Sequence, residues 1–150
     1  MKSVFSLDGK WKIEADPNDI GKELGFFSPE IDSSSWQEVN IPCHWELEVP
    51  HYYKANPEII WARKEFLLKD IGGRTKLESK LIYLYFKGIF YYADIYLNGY
   101  SLGHHEGYFK PFGFLINSYL KSENVLIIRV ACMNEKDLGS KKQILGTFGH

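Results

Sequence analysis

The stretch ADIYLNGYSLG, residues 93–103, decides the fold class of this 150-residue chain. Asn98-Gly99 is the preferred pair for a two-residue type I′ hairpin loop, because both central residues of that turn have positive φ. On either side of the pair, apolar and polar residues alternate with the period of two that is typical of a half-buried strand. The pattern predicts a β-hairpin in which Ile95–Leu97 pairs with Tyr100–Leu102, so that Ile95 lies opposite Leu102.

The rest of the chain is typical of an all-β domain. Short runs of β-forming residues alternate with clusters of Gly, Pro, Asn, Asp and Ser. The run LIYLYF, residues 81–86, is apolar on both faces and is predicted to lie inside a sandwich. One helical turn is predicted over Asp19–Leu24, capped by Asp16 or Asn18 and stopped by Gly25. The predicted strands are Trp11–Ala15, Glu38–Ile41, Ile59–Leu68, Leu81–Lys87, Ala93–Leu97, Tyr100–His104, Gly113–Ile116 and Val125–Cys132.

Length and charge limit the class of protein. The length predicts a single domain over residues 1–150, of which the polar, glycine-dotted tail 134–150 is expected to be loop. Lys and Arg number 18 and Asp and Glu 19, a net charge of -1 that argues against a nucleic-acid partner. The longest apolar run, residues 81–86, is far shorter than the ~20 residues that span a bilayer. Because no signal peptide is visible, we expect a cytoplasmic protein without a membrane partner.

Catalytic and metal-binding patterns are weak. Glycoside hydrolysis needs two carboxyl groups about 5–9 Å apart in a pocket, and no glutamate has a distinctive setting. Arg63 and Glu65 alternate on one strand and are predicted to form a solvated ion pair.

Cys43 and His44 are adjacent, so in an extended chain they point to opposite faces. We predict no catalytic residue, no metal and no cofactor. The glutamates considered were Glu46, Glu48, Glu58 and Glu65, and the histidines were His44, His51, His104, His105 and His150.

A long aromatic loop between residues 42 and 60 is the best candidate for binding. It contains three prolines and a cluster of aromatic and polar side chains. Aromatic rings stack on the C–H faces of sugars while polar groups bind the hydroxyls, so this composition suits a carbohydrate. The alternative is that these aromatics pack the loop onto the sandwich or onto a partner domain. The candidate sugar-binding residues are Trp45, Glu46, His51, Tyr52, Tyr53 and Asn56.

Several motifs, in order, cover nearly the whole chain. They are W-x-x-x-x-I-P-x-x-W-E over residues 36–46, W-x-R-x-x-F over 61–66, F-K-G over 86–88, A-D-I-Y-L-N-G-x-x-L-G over 93–103 and H-x-G-x-x-x-P-F over 105–112. In this order they resemble the N-terminal sugar-binding domain of family 2 glycoside hydrolases, the β-galactosidase, β-glucuronidase and β-mannosidase group. The resemblance implies a jelly-roll β-sandwich of the galactose-binding-domain-like type.

The resemblance also implies a partner and a place for the sugar. In that family the domain precedes an immunoglobulin-like domain and a catalytic barrel that carries both catalytic glutamates. Its loops can contribute to the rim of the barrel pocket, and His51–Asn56 is the part most like that rim. The chain is therefore predicted to be inactive alone. A stand-alone carbohydrate-binding module or lectin-like protein, and a purely structural docking domain, remain alternatives.

Two departures from the family pattern have consequences. Cys43 stands where the family commonly has Gly at the turn into the aromatic loop. Family members usually continue with a Gly-Ile-Trp/Tyr-Arg strand after the equivalent of GTFGH, and this last strand is absent here. An open sheet edge recruits other strands. We therefore expect the edge to be covered by the tail Lys136–His150 or, through self-association, by a neighbouring molecule.

Overall fold

A computed structural model describes residues 4–41, 59–73, 80–86, 88–90, 92–107, 111–131 and 146–148. Within these residues the secondary structure is almost entirely β, with one 3-10 helix at Leu68–Ile71. The strands are β1 Gly9–Ala15, β2 Gln37–Ile41, β3 Ile59–Leu67, β4 Tyr83–Phe86, β5 Gly88–Phe90, β6 Tyr92–Leu97, β7 Tyr100–Glu106, β8 Phe112–Leu115, β9 Glu123–Ala131 and β10 Gly146–Phe148. In the described part of the chain, no helix is long and apolar enough to cross a membrane.

The strands form one large antiparallel sheet and two small ones. The large sheet has the order β2-β1-β3-β9-β6-β7, and the small sheets pair β4 with β8 and β10 with β5. In the centre, β3 pairs with β9 over nine residues, from Ile59 opposite Ala131 to Leu67 opposite Glu123. The all-β prediction is confirmed, and the β4–β8 pair supplies the second layer of the sandwich.

The main core fills the space between the large sheet and the β4–β8 pair. Alternate residues of each strand point into it, as the period of two requires. On β9, Leu126, Ile128 and Val130 face this core, while Ile127 and Arg129 face the other way. The β4–β8 pair contributes Leu84 and Phe86, and Phe86 stacks on Phe112 with ring centroids 4.9 Å apart. The remaining buried members include Trp11, Ile13, Val39, Ile41, Ile60, Ala62, Ala93, Ile95, Leu97 and Ile116.

A second apolar cluster lies on the outer face of the large sheet. Trp61 is fully buried there beside Ile127 and Trp36. Residues 16–36 fold over this cluster, and we call them the covering segment. Phe26 meets Trp36 and Trp61 edge to face, at ring-centroid distances of 5.4 and 5.8 Å. Both faces of the central strands are therefore shielded from water. This explains why β3 and β9 carry apolar residues on both faces instead of alternating between apolar and polar.

One buried carboxylate ties the covering segment to the sheet. Asp16 is 2% exposed and its side chain accepts hydrogen bonds from the amides of Ile20 and Gly21 and from Trp61 Nε1, all between 2.8 and 2.9 Å. The turn it caps includes a hydrogen bond from the Leu24 amide to the Ile20 carbonyl, and Gly25 follows with φ 76°. The predicted cap by Asp16 and stop at Gly25 are confirmed, but the helical turn predicted over Asp19–Leu24 is wrong in its bounds, because Asp19 has φ 52° and no regular helix forms there.

The hairpin has the predicted turn and a different register beyond it. Asn98 and Gly99 have φ of 53° and 87°, as a type I′ turn requires, and Leu97 lies opposite Tyr100. The predicted pairing of Ile95 with Leu102 is wrong, because a β-bulge places Ile95 opposite Gly103. Gly103 has φ 150°, and an added Cβ would lie 2.8 Å from the Phe114 ring. Packing of β8 against the hairpin therefore accompanies the bulge.

Two further predictions are corrected. LIYLYF is not buried on both faces: Leu84 and Phe86 are in the core, whereas Tyr83 and Tyr85 are 61% and 51% exposed. The loop predicted for the tail is wrong at Gly146–Phe148, which forms β10 and pairs with β5. This part of the tail pairs with one edge of β5.

Candidate functional site

The six candidate sugar-binding residues, Trp45, Glu46, His51, Tyr52, Tyr53 and Asn56, lie outside the described residues, and their role stays a prediction. The structure does fix both ends of their loop. Ile41 lies opposite Gly9 at the start of β1, whereas Ile60 lies opposite Ala15 at its end. At about 3.3 Å per residue these points are about 20 Å apart. The loop therefore leaves at one end of β1 and returns at the other.

A group of charged side chains lies near the return of the loop, on the outer face of the large sheet. Ile59 pairs with Ala131, and Ala131 pairs with Tyr92. Two residues further along these strands, Asp94 and Arg129 are paired Cα neighbours. Arg129 donates hydrogen bonds to both Asp94 and Asp19, at 3.2 and 2.9 Å. We call the group of Asp19, Lys22, Asp94, His104 and Arg129 the charged cluster.

Asp94 is the centre of the charged cluster. One of its oxygens lies 2.9 Å from His104 Nδ1, and the other also lies 3.7 Å from Lys22 Nζ. Asp94 and Arg129 are mostly buried, at 19% and 12% side-chain exposure, while Asp19, Lys22 and His104 are half exposed or more. Asp94 therefore contacts Lys22, His104 and Arg129 at once from a partly buried position. The geometry suits orientation of charged groups rather than proton transfer.

A tyrosine connects the charged cluster to the second apolar cluster, which surrounds Trp61. Tyr96 stacks on Trp61 and Phe27, at ring-centroid distances of 6.0 and 5.3 Å. Burial raises the pKa of Tyr96 above its usual value, and the charge of Asp94 raises it further. Tyr96 therefore stays neutral at physiological pH and acts as part of the packing.

A small hollow lies elsewhere on the same face, and it contains two carboxylates. Its volume is about 160 Å³. Each glutamate is paired with a cation: Glu38 lies 3.4 Å from Lys10, and Glu65 lies 3.0 Å from Arg63. Both glutamates are more than half exposed. Both carboxylates are therefore exposed groups engaged by cations, without the apolar pocket that surrounds a general acid. The lining residues are Lys10, Trp11, Lys12, Glu38, Arg63 and Glu65.

The predicted ion pair between Arg63 and Glu65 is present, but only one partner is solvated. Glu65 is 70% exposed, whereas Arg63 is 6% exposed. Arg63 lies under the covering segment and donates hydrogen bonds to the carbonyls of Ser28 and Pro29, at 3.4 and 3.0 Å. The sequence could not show this burial, because the 16–36 segment that covers Arg63 is distant along the chain.

The adjacent histidines diverge, as expected for neighbours in a strand. His104 contacts Asp94, while His105 stacks on Phe112 with ring centroids 3.7 Å apart. Among the described residues, no group of three or more His, Cys, Asp or Glu side chains could hold a metal ion. Neither histidine therefore indicates a metal centre in this part of the chain.

The charged cluster could not be predicted from the sequence, because nothing in the alternating pattern of residues identifies Asp94 or Asp19 as partners of Arg129. Asp94 and Arg129 are 35 residues apart, and Asp19 and Arg129 are 110 apart. The one available signal was an arginine in the middle of an otherwise apolar strand, since such a charge needs a partner.

Comparison with known proteins places this sandwich in a family. The family model described as "Glycosyl hydrolase 2 galactose-binding domain-like" matches residues 45–147. The chain belongs to this family. The match includes the aromatic loop from residue 45 onward, strands β3 to β9 and the first two residues of β10, so the resemblance inferred from the motifs is confirmed.

Relatives of this galactose-binding-like domain are enzymes many times its length. A "Beta-glucuronidase" of Formosa agariphila is 36% identical over 143 residues, which is 86% of this chain and 13% of that enzyme. A "Beta-galactosidase" of Streptococcus thermophilus is 30% identical over 149 residues, covering 87% of this chain and 14% of that enzyme. The chain thus spans about one seventh of these curated relatives.

A solved structure also matches most of this chain with only a small part of its own length. The crystal structure of Ruminococcus gnavus beta-glucuronidase matches with a TM-score of 0.73 and 27% sequence identity, covering 87% of this chain and 22% of that one. The sandwich therefore has the fold of one domain of a larger glycosidase.

Proposed function

We propose that this chain is the non-catalytic, N-terminal carbohydrate-binding domain of a family 2 glycoside hydrolase that hydrolyses O-glycosyl bonds. The observation that carries the proposal is the asymmetry of the matches: 86% of this chain corresponds to only 13% of a beta-glucuronidase. The immunoglobulin-like domain and the catalytic barrel implied by the family would supply the rest of the enzyme.

The carboxylates of the described residues support the proposed lack of activity. The described hollow holds Glu38 and Glu65, both paired with cations and both exposed. In the covering segment, hydrogen bonds from Ser28 and Ser34 lower the pKa of Glu30 and Asp32, respectively. Glycosidase chemistry needs one carboxyl group with a raised pKa and a second one at a fixed distance from it. The two described carboxylates that share a hollow are exposed and paired with cations, unlike a general acid in a desolvated pocket.

The role of the domain in sugar binding is proposed for the aromatic loop. Its residues would form one wall of the enzyme's pocket, and the charged cluster lies where the loop returns to the sheet. One wall cannot bury most of a sugar, as tight binding requires. We expect the domain alone to bind monosaccharides with a dissociation constant of about 1 mM or weaker, about -4 kcal/mol at most.

Activity measurements test this proposal. The 150-residue chain is expected to release no nitrophenol from nitrophenyl β-galactoside or β-glucuronide, while the complete enzyme cleaves at least one of them. Turnover by the 150-residue chain that Glu65→Gln abolishes would overturn the proposal. Glu38→Gln is the matched control, because it removes the other carboxylate of the same hollow.

Sugar titrations separate the remaining alternatives. Galactose, glucuronate and mannose can be titrated into the 150-residue chain while tryptophan fluorescence or NMR shifts are recorded. Micromolar binding would favour a stand-alone lectin. Binding that stays unchanged in a Trp45→Ala/Tyr52→Ala variant would show that the loop is not the sugar site.

A further inference from the structure

The β4–β8 pair has an outer face that is apolar at every exposed position. Its outward residues are Tyr83 and Tyr85 on β4 and Gly113 and Leu115 on β8, and Leu81 precedes the strand. Tyr83 lies opposite Leu115 and Tyr85 lies opposite Gly113, so the side chains form one strip. Leu81 and Leu115 are 70% and 48% exposed. We call these five residues the tyrosine strip.

The tyrosine strip is continuous because of a glycine. A Cβ added to Gly113 would lie 3.3 Å from Cδ2 of Tyr85 and 3.1 Å from the Leu84 carbonyl oxygen. The Tyr85 ring therefore lies against the backbone of β8. A larger residue at this position would have to displace the ring.

A sugar is a poor match for the tyrosine strip. Carbohydrate sites combine aromatic rings with several fixed polar groups that bind hydroxyls. The side chains of the strip provide only two phenol hydroxyls. Nearby, the Asn117 side chain is already engaged, because it accepts a hydrogen bond from the Ile82 amide and donates one to the Lys80 carbonyl. An apolar protein surface fits the strip better, since tyrosine is enriched in protein interfaces and charged residues are depleted from their cores.

The size of the tyrosine strip favours a tethered partner. Its four large side chains expose roughly 400 Å², which is within the range of the largest apolar patch on a typical monomer, a patch that is often functional. A stable complex of separate molecules buries about 800 Å² on each partner, so this strip alone is too small for one. A domain on the same polypeptide has an effective concentration of about 1 mM, so it docks through a smaller contact. The enzymes related to this chain have most of their length outside the matched region.

We propose that the tyrosine strip is the surface on which a neighbouring domain of the same glycosidase docks through apolar side chains. This inference rests on the proposed function and adds to it the face of contact. The strip lies on the β4–β8 pair, whereas the residues that flank the aromatic loop, Ile41 and Ile59, belong to the large sheet.

Hydroxyl-radical labelling tests the inference, with tyrosines as internal probes. The 150-residue chain and the complete enzyme are labelled under the same conditions, and oxidation is quantified at Tyr83, Tyr85 and Tyr100. Tyr100 is the matched control, because it is 57% exposed and lies on the hairpin away from the strip. We expect labelling of Tyr83 and Tyr85 to fall about tenfold in the enzyme, since interface cores are fully desolvated. Tyr100 labelling is expected to stay within about twofold.

The outcomes distinguish this inference from the proposed function. An active glycosidase in which Tyr83 and Tyr85 are labelled as in the 150-residue chain would overturn the inference alone. Protection in a polypeptide that cleaves no β-glycoside would overturn the proposed function alone. Protection that appears in the 150-residue chain as its concentration rises would identify a second copy as the occupant, and protection by added galactose or glucuronate would identify a sugar. Either result would overturn a docked domain.

Discussion

Two aromatic faces of this domain differ in what covers them. On the outer face of the large sheet, Trp61 is fully buried because the covering segment folds over it. On the outer face of the β4–β8 pair, Tyr83 and Tyr85 are 61% and 51% exposed. Both faces carry large apolar side chains, and among the described residues only the first is covered by another segment of the chain. We interpret the second face as the one that a partner domain covers.

The covered face is closed by polar contacts as well as by aromatic packing. Asp16 joins the covering segment to Trp61, and Arg63 donates to two carbonyls of the same segment. Buried hydrogen bonds of this kind fix one arrangement, because an unpaired partner would be costly. The tyrosine strip presents only phenol hydroxyls for such contacts. Its contribution would therefore come from burial of apolar area.

The largest expected effect comes from opening the covered face. Asp16→Ala removes the acceptor of three hydrogen bonds and leaves the Trp61 indole N–H and two amides without it. We expect the free energy of unfolding to fall by about 3 kcal/mol, as measured by urea denaturation. Asp32→Ala is the control, because Asp32 accepts one amide, from Ser34, at an exposed site. Similar losses in both variants would show that Asp16 does not hold the segment.

A smaller effect is expected where the hairpin touches the covering segment. Gly99 has φ 87°, and an added Cβ would lie 3.3 Å from Pro29 Cδ. Gly25 has φ 76°, and a Cβ there would meet nothing within 4 Å. Both alanine variants incur the strain of a positive φ, about 1 kcal/mol. In the same urea experiment, the free energy of unfolding is expected to fall by about 1 kcal/mol more in Gly99→Ala than in Gly25→Ala. Equal losses in the free energy of unfolding would mean that Pro29 moves aside without cost to make room for the added Cβ.

The smallest expected effect concerns the pH dependence of the covered face. Because the pKa of Tyr96 is raised in the folded chain, the folded state holds this proton more tightly than the unfolded state. The resulting stabilisation is fully present below the ordinary tyrosine pKa of about 10 and is lost as pH rises through the raised value. Between pH 9 and 11, wild type should lose stability more steeply than Tyr96→Phe. Parallel curves would show that Tyr96 is not desolvated.

Local patterns predicted local structure, and they could not predict what covers a face. Asn98-Gly99 determines its own backbone, so the type I′ turn could be predicted from two residues. The bulge at Gly103 involves packing against Phe114, which belongs to another strand. The exposure of Tyr83 and the burial of Arg63 depend on whether a distant segment lies above them. For the site, composition selected the loop from Trp45 to Asn56, and the described residues neither confirm nor contradict that choice.

The most direct test compares one double variant in two settings. Tyr83→Ser/Tyr85→Ser changes exposed residues in the 150-residue chain, so its unfolding temperature should shift by no more than about 2 °C. In the complete enzyme the same change removes two side chains that anchor the interface. The unfolding temperature of this domain should therefore fall by about 4–8 °C. Lys10→Ser/Glu38→Ser is the control, because this exposed pair lies on the other face and should change little in both settings. A fall confined to the enzyme is the result we predict, and equal small shifts of the tyrosine variant in both settings would contradict the account.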